Sequence, residues 1–176
     1  MLEGDRKSVK RGVLTMWSSM PRSLVALETE PGVITTRLAT PDDFETVARL
    51  LTELGRTPVD EANEEQFRSI YRAQIEDPSC CHLVAELDGA VVGFCSLHFR
   101  SRLNRPLPEG WIPDLIVDPA VRRRGVGAAL LQEAVRRSRE AGCYELNLES
   151  GAHRWGAHQF YRSAGMAEGL AFVLRL

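Results

Sequence analysis

The sequence predicts an α+β fold, with a mixed sheet and helices packed on it, in a single domain over residues 33–176. Three observations predict it. Two alternating apolar runs flank Asp88-Gly89, the signature of a short β-hairpin. Helical apolar periodicity follows start signals at Thr40-Pro41 and again after Gly125. The elements then read β-α-α-β-β-β-α-β-α-β, with no internal repeat and no second domain.

Regular pattern begins at "VITTRLAT" (33–40), whose alternation reads as a strand. A helix follows it. Thr40 is the candidate N-cap, Pro41 suits the first helical position, and Asp42 and Asp43 favour the positive helix end. Phe44, Val47, Leu50, Leu51 and Leu54 share one face, and Gly55 is a stop signal. A second helix is expected within 60–76, with Phe67, Ile70, Tyr71 and Ile75 as its apolar side. The hairpin occupies "CHLVAELDGAVVGFCSLHF", and "RSRLNRPLPEG" reads as a loop. "WIPDLIVDP" is a strand in which Pro113 predicts an edge or a bulge. A helix is expected over about 125–141, a strand at "CYELNLES", a short helix at "HRWGAHQFYRSAG" and a last strand at "LAFVLRL".

Composition excludes several functions. The 176 residues are 44% apolar and 26% charged, ordinary for a globular chain with a full core. A net charge of -2 provides no global basic field for nucleic acid. No apolar run approaches the ~20 residues of a membrane span. Cys80, Cys81, Cys95 and Cys143 form no C-x-x-C pair. No disulfide framework or metal site is therefore expected, and a reducing, cytoplasmic setting fits. Residues 1–32 read as a poorly ordered extension or a displaced start, with Met16 and Met20 as alternative starts and no clean apolar signal segment.

The most unusual stretch is "VDPAVRRRGVGAALLQEAVRRSREAG" (117–142). Three arginines run into Gly125 and Gly127 where a helix starts. Basic charge there opposes the helix dipole, and glycine weakens a helix by about 1 kcal/mol relative to alanine. The plain reading is a solvated basic helix start; the arginine-rich composition, with only Lys7 and Lys10 as lysines, makes an Arg run less unusual. The competing reading is a phosphate cradle, in which N–H groups at the helix start bind an anion, glycines allow close approach and arginines add countercharge. A P-loop is excluded because Ala128 and Ala129 stand where a lysine and hydroxyl are needed. A dinucleotide fold remains a runner-up, with Glu145 or Glu149 as a ribose acid, but "GVGAAL" lacks its third glycine and Gly125 comes eight residues after Val117.

Arg122-x-x-Gly125-x-Gly127, preceded by "DLIVDP" and followed by an amphipathic helix, resembles the acetyl-CoA motif of the GNAT superfamily of N-acetyltransferases. The downstream "RWGAHQFYRSAGM", with Ala157, Tyr161 and Gly165, resembles the closing segment of that family. The resemblance covers roughly Val33 to the C-terminus. It implies a mostly antiparallel sheet with helices on both faces, splayed where the cofactor enters. It also implies that the backbone of Leu115, Ile116 and Val117 binds the pantetheine arm as an added strand. The N–H groups of Arg123, Arg124, Gly125, Val126, Gly127 and Ala128 would take the diphosphate, with Arg122 beside them. Arg123 and Arg124 have a plain surface role as the alternative. Where the family often carries an asparagine, this chain has Arg154, so that contact is altered or moved to the phosphates.

Acetyl transfer to an amine poses two proton problems. An alkylamine with a pKa near ~10.4 is almost all ammonium at neutral pH, a cost of about 4–5 kcal/mol. The departing thiolate also needs a proton. The resemblance implies Tyr161 as the acid that supplies it, with Phe160 better suited to core packing, and a strand N–H, that of Val117, for the oxyanion. For the base, Asp114 points opposite to Leu115 on an extended strand and either accepts a proton or grips a substrate cation. Pro113 stands where polyamine acetyltransferases often carry a glutamate. Glu149 is the alternative, while His82, His98, His153 and His158 have sufficient structural roles. The expected activity is acetyl transfer from acetyl-CoA to a primary amine of a small molecule, by direct attack in a ternary complex. The alternatives are a non-catalytic acyl-CoA-binding module or acetylation of a protein or peptide amine. No nucleic-acid, membrane or metal partner is expected, and a homodimer is compatible with the sequence.

Overall fold

A computed structural model describes residues 32–169. The extension expected over 1–32, except its last residue, and the strand expected at 170–176 lie outside the described residues. Within them the order is β1 (Ile34–Leu38), α1 (Phe44–Glu53), α2 (Glu64–Glu76), β2 (Leu83–Leu87), β3 (Ala90–Arg100), β4 (Glu109–Val117), α3 (Val126–Glu140), β5 (Leu146–Leu148) and α4 (Trp155–Ser163). The strands form one sheet in the order β1-β2-β3-β4-β5. Neighbours are antiparallel except β4 and β5, which run parallel because α3 carries the chain across between them.

Local chemistry explains the elements. Asp88 (φ 53°) and Gly89 (φ 82°) both adopt the left-handed conformation that joins twisted antiparallel strands in two residues. Both sheet faces are covered, so β2 reads as a nearly continuous apolar run. Leu83, Ala85, Cys95, Leu97 and Ile112 face Leu130, Leu131 and Ala134 of α3. Val84, Phe94 and Ile116 face the other way, onto Phe44, Val47 and Leu50 of α1 and Tyr71 of α2.

Three expectations are corrected by packing. Ile70 is 47% exposed, because α2 buries the narrower stripe of Phe67, Tyr71 and Ile75. Glu109 and Gly110, expected in a loop, open β4 instead. The Glu109 side chain is only 1% exposed and is held by Arg100 (2.7 Å), Arg102 (2.6 Å) and the Tyr144 hydroxyl (3.1 Å). Burial raises its pKa, but Arg102, Tyr144 and Arg100 outweigh it and keep the carboxyl below its ordinary range. The strand expected at "CYELNLES" is reduced to three residues, because β5 pairs with β4 only over Gly110–Ile112.

The start of α1 is set by a charged clamp. Asp43, 8% exposed, accepts from two Arg37 nitrogens (2.7 and 2.8 Å), from the Thr40 N–H (2.7 Å) and from the Thr40 hydroxyl (2.9 Å). Arg37 chiefly, helped by Thr40, holds the carboxyl below its ordinary value. Asp43→Ala should destabilise the fold by about 2–3 kcal/mol, less than a fully buried pair because Arg37 is 37% exposed and keeps Glu86. A depressed carboxylate contributes fully above its unfolded pKa and loses that contribution as pH falls through the folded one. Urea unfolding of parent and variant should therefore show a gap at neutral pH that closes in acid. An acid-independent gap would mean that the loss is one of packing alone.

Candidate active site

The arginine-glycine turn is built residue by residue. Asp118 accepts the N–H of Ala120 (3.0 Å), starting a short 3-10 turn at Pro119–Val121, and pairs with Arg49 (2.9 Å). Arg123 is left-handed at φ 63°, and Gly125 at φ 91° turns the chain into α3. Val126 is buried and anchors the helix start in the core. The first helical bond runs from Ala129 N–H to the Gly125 carbonyl (3.0 Å). Among the described residues no acceptor takes the N–H groups of Gly125, Val126, Gly127 or Ala128. Four parallel donors thus converge at the positive end of a 15-residue helix. Arg122, Arg123 and Arg124 are exposed beside them, and none of the described carboxylates pairs with Arg123 or Arg124.

The end of β4 supplies a second set of donors. Opposite Leu97, β4 carries two residues, Ile112 and Pro113, so Pro113 sits in a bulge. The same residue stands where pairing with β5 stops. The bulge changes which groups face which neighbour. Gly110 donates to Glu145 on the β5 side (2.9 Å), whereas Asp118 donates to Val92 on the β3 side (2.8 Å). Antiparallel alternation from Asp118 assigns the Ile116 backbone to β3 and leaves Leu115 and Val117 facing the gap beyond β5. Of the three residues expected at an added strand, Ile116 is thus engaged within the sheet. Arg122 Nε reaches the Val117 carbonyl (3.2 Å) and ties the turn to this edge.

α4 completes the cleft. A Cβ added at Gly127 would lie 3.5 Å from Val117 and 3.7 Å from the Phe160 ring, so α3, β4 and α4 meet there. Phe160 and Tyr161 have ring centroids 5.2 Å apart, and both pack against the core on the α3 side. Burial holds the Tyr161 phenol above its ordinary pKa, with the Cys95 thiol adding to this and Arg154 opposing it. The phenol therefore carries its proton at neutral pH. A groove of about 550 Å³ runs between α3 and α4, lined by Ala128, Leu131, Val135, Phe160 and Met166.

Two expected residues have other partners. The Arg154 guanidinium donates to the Leu54 carbonyl rather than pointing at the turn, because the last carbonyls of α1 lack helical donors. Asp114 is not a bare carboxylate. It accepts from Arg56 Nε at 2.6 Å, and the same guanidinium donates to the Pro113 carbonyl at 3.0 Å. Sequence reasoning did not single out Arg56. Its one signal was a lone basic residue in the acidic α1–α2 connection "GRTPVDEANEE". Glu149 is exposed just past β5. His158 Nε2 lies 3.0 Å from the Gly151 carbonyl, a helix-surface contact. His82 is 4% exposed, and burial pushes it down to about 4, so it is neutral at neutral pH.

The acetyltransferase (GNAT) family matches the chain over residues 46–166, which contain the turn, the β4 edge and Tyr161. The chain belongs to the GNAT family. It is an acetyl-transferring enzyme, and acetyltransferases of this family take the acetyl group from acetyl-CoA. This GNAT chain is 33% identical to the aminoalkylphosphonate N-acetyltransferase of Salmonella typhimurium, across 73% of its own length and 82% of that protein. It is also 33% identical to an aminoglycoside N(6')-acetyltransferase of Stenotrophomonas maltophilia, across 76% and 86%. Among solved structures, a Trypanosoma brucei acetyltransferase superposes with a TM-score of 0.66 at 26% identity, covering 82% of this chain and all of that one. The mixed, mostly antiparallel sheet with helices on both faces is the expected GNAT fold. No described helix is long and apolar enough to cross a membrane.

Proposed function

We propose that this enzyme transfers an acetyl group from acetyl-CoA to a primary amine of a small molecule, by direct attack in a ternary complex, with Tyr161 as general acid. The observation that carries the reading is the meeting of α3, β4 and α4 at Gly127, which brings together four helix-start donors with no acceptor among the described residues, the β4 edge with its outward Val117 N–H, and the α4 segment bearing Tyr161. These residues fit acetyl-CoA: the donors of Gly125 to Ala128, flanked by Arg122–Arg124, suit a diphosphate, and the β4 edge suits an amide-bearing arm. Bound there, acetyl-CoA supplies an activated thioester. The Val117 N–H stabilises the negative charge that develops on the acyl oxygen. The Tyr161 hydroxyl, kept protonated by its burial, gives its proton to the sulfur as the carbon–sulfur bond breaks. A small-molecule acceptor is supported by two of the relatives at 33% identity, whose names specify aminoalkylphosphonates and aminoglycosides. Coenzyme A release should be screened against both classes, polyamines, amino acids and N-terminal peptides. Release with peptides alone would replace this reading by acetylation of a protein amine.

Asp114 belongs on the acceptor side as a positioning group. The Asp114 carboxylate is already engaged by the Arg56 guanidinium at 2.6 Å, a fixed ion pair suited to orienting a neighbouring cation. The Arg56 fork fixes both the Asp114 carboxylate and the Pro113 carbonyl, and so holds the bulge that opens β4. Asp114→Asn should then raise KM for the amine about 3–10-fold, the scale of one weakened polar contact, while keeping the acidic limb of the pH–rate profile. Disappearance of that limb would make Asp114 the base. In this reading Glu149 takes the amine's proton, as the exposed carboxylate beyond β5 with no ion pair among the described residues.

A further inference from the structure

We propose that Cys80, His82 and His98 form a zinc-binding site with one open coordination position. None of its three ligands is among the residues assigned to acetyl transfer above, although Ser96, the partner of His98, pairs across the sheet with Asp114. The three side chains each offer a ligand atom, and these atoms all lie within 4.8 Å of one another. The Cys80 Sγ and His98 Nδ1 are 3.3 Å apart. Bond lengths of ~2.3 Å to sulfur and ~2.0–2.1 Å to nitrogen place adjacent ligands of a tetrahedral zinc about 3.3–3.6 Å apart. The Cys80–His98 pair is therefore close to the sulfur–nitrogen spacing of such a site, and the His82 ligand atom lies within 4.8 Å of both.

The groups around the two rings point to a metal. The His82 Nε2 lies 3.0 Å from the Gln74 side-chain oxygen, and the His98 Nε2 lies 3.0 Å from the Ser96 hydroxyl. Such contacts orient a ligating imidazole through its distal nitrogen and leave Nδ1 for the ion. Among the described residues the buried His82 Nδ1 has no hydrogen-bond partner, on a side chain that is only 4% exposed. An orphaned buried nitrogen is costly unless something pairs with it, and a metal ion would do so.

The backbone makes the site rigid. Cys81 N–H donates to the Leu97 carbonyl and Phe99 N–H to the Ser79 carbonyl, both at 2.7 Å, so the segment entering β2 is laced to β3 on either side of Cys80. Cys80 also bridges His98 across the sheet. One thiolate and two imidazoles are a borderline-soft donor set that suits Zn²⁺ over Mg²⁺ or Ca²⁺. Three protein ligands leave the fourth position for water or a small donor. Cys80 and His98 are only half-buried, which provides an entry path.

Competition with a chromophoric chelator, using the full chain stripped of metal and kept reduced, tests the site. One equivalent of Zn²⁺ should bind with a Kd below ~1 µM, a modest value for a site of this donor set. Cys80→Ser should weaken it at least 100-fold. Gln74→Ala leaves all three ligands in place and should weaken it ~10–100-fold through loss of ring orientation. Cobalt(II) in place of zinc should give a thiolate charge-transfer band and intense visible bands of a tetrahedral site, absent in Cys80→Ser. Cys143→Ser, on a thiol outside the cluster, should change nothing. The proposal is overturned if the parent binds no equivalent at that affinity, if Cys80→Ser binds as well as the parent, or if Cys143→Ser abolishes binding. None of these readouts depends on acetyl transfer, so the two proposals fail separately.

Discussion

Tyr161→Phe is expected to lower turnover by about 10²-fold or more while leaving the fold and the affinity for CoA in place. The ring is part of the packing between α4 and the core on the α3 side, and phenylalanine preserves it. Only the hydroxyl is lost. Among the described residues that hydroxyl makes no hydrogen bond, so its removal strands no buried partner. Burial and the neighbouring Cys95 thiol raise the phenol's pKa, with Arg154 pulling the other way. The net effect keeps the acid form at neutral pH, the form needed to protonate a departing thiolate. Stopped-flow and steady-state kinetics at saturating substrate, with CoA affinity measured by calorimetry, separate the two contributions. Unchanged turnover would pass the proton-donor role to solvent or another group; a parallel loss of CoA affinity would make Tyr161 a binding residue.

Gly125→Val should weaken CoA binding by about 2–4 kcal/mol, or roughly 30- to 1,000-fold, the worth of one or two charge-assisted hydrogen bonds plus a steric term. The reason is conformational and local. Gly125 sits at φ 91°, a backbone state that side chains rarely adopt and that costs of order 1–2 kcal/mol for a non-glycine residue. Among the described residues its Cβ would meet nothing closer than Ile34 at 3.6 Å, so they leave room for it. The variant should therefore fold with a small loss of stability while its side chain stands over the donors of Val126 to Ala128. Thermal unfolding and calorimetry together check this. Parent-like affinity for CoA in a folded variant would place the diphosphate elsewhere. Collapse of the fold itself would show that the turn serves stability first.

Much of the architecture was legible because its signals are local. Asp88-Gly89 specifies a left-handed two-residue turn whatever surrounds it, and the structure places β2 and β3 on either side of it. Thr40, Pro41 and the Phe44-Val47-Leu50-Leu54 stripe mark a helix by spacing alone, and those four apolar residues are buried. The turn from Arg122 to Ala128 was visible for a similar reason, since glycines and arginines at a helix start conflict with helix propensity and dipole. Ile70 shows where periodicity loses its authority: its position on the wheel is apolar, but how wide a stripe α2 buries depends on what packs against it.

What only the tertiary structure decided is which charged and polar groups meet. Asp114 reads as a strand carboxylate near the cleft, and nothing within several residues reveals that Arg56, 58 positions away, grips it. Arg154 reads as a substitute cofactor contact, yet α1, 100 positions earlier in the chain, ends on a carbonyl that takes its guanidinium. Glu109 reads as a loop residue until Arg100, Arg102 and Tyr144 fold around it. Cys80, His82 and His98 match no ligand spacing along the chain, and become neighbours only because the segment before β2 is hydrogen-bonded across to β3. Backbone conformation is governed by sterics and capping over a few residues, so a single sequence carries it. Ion pairs and ligand clusters are governed by Coulombic and hydrogen-bonding forces whose sign the sequence states but whose distances exist only after the sheet and helices have packed.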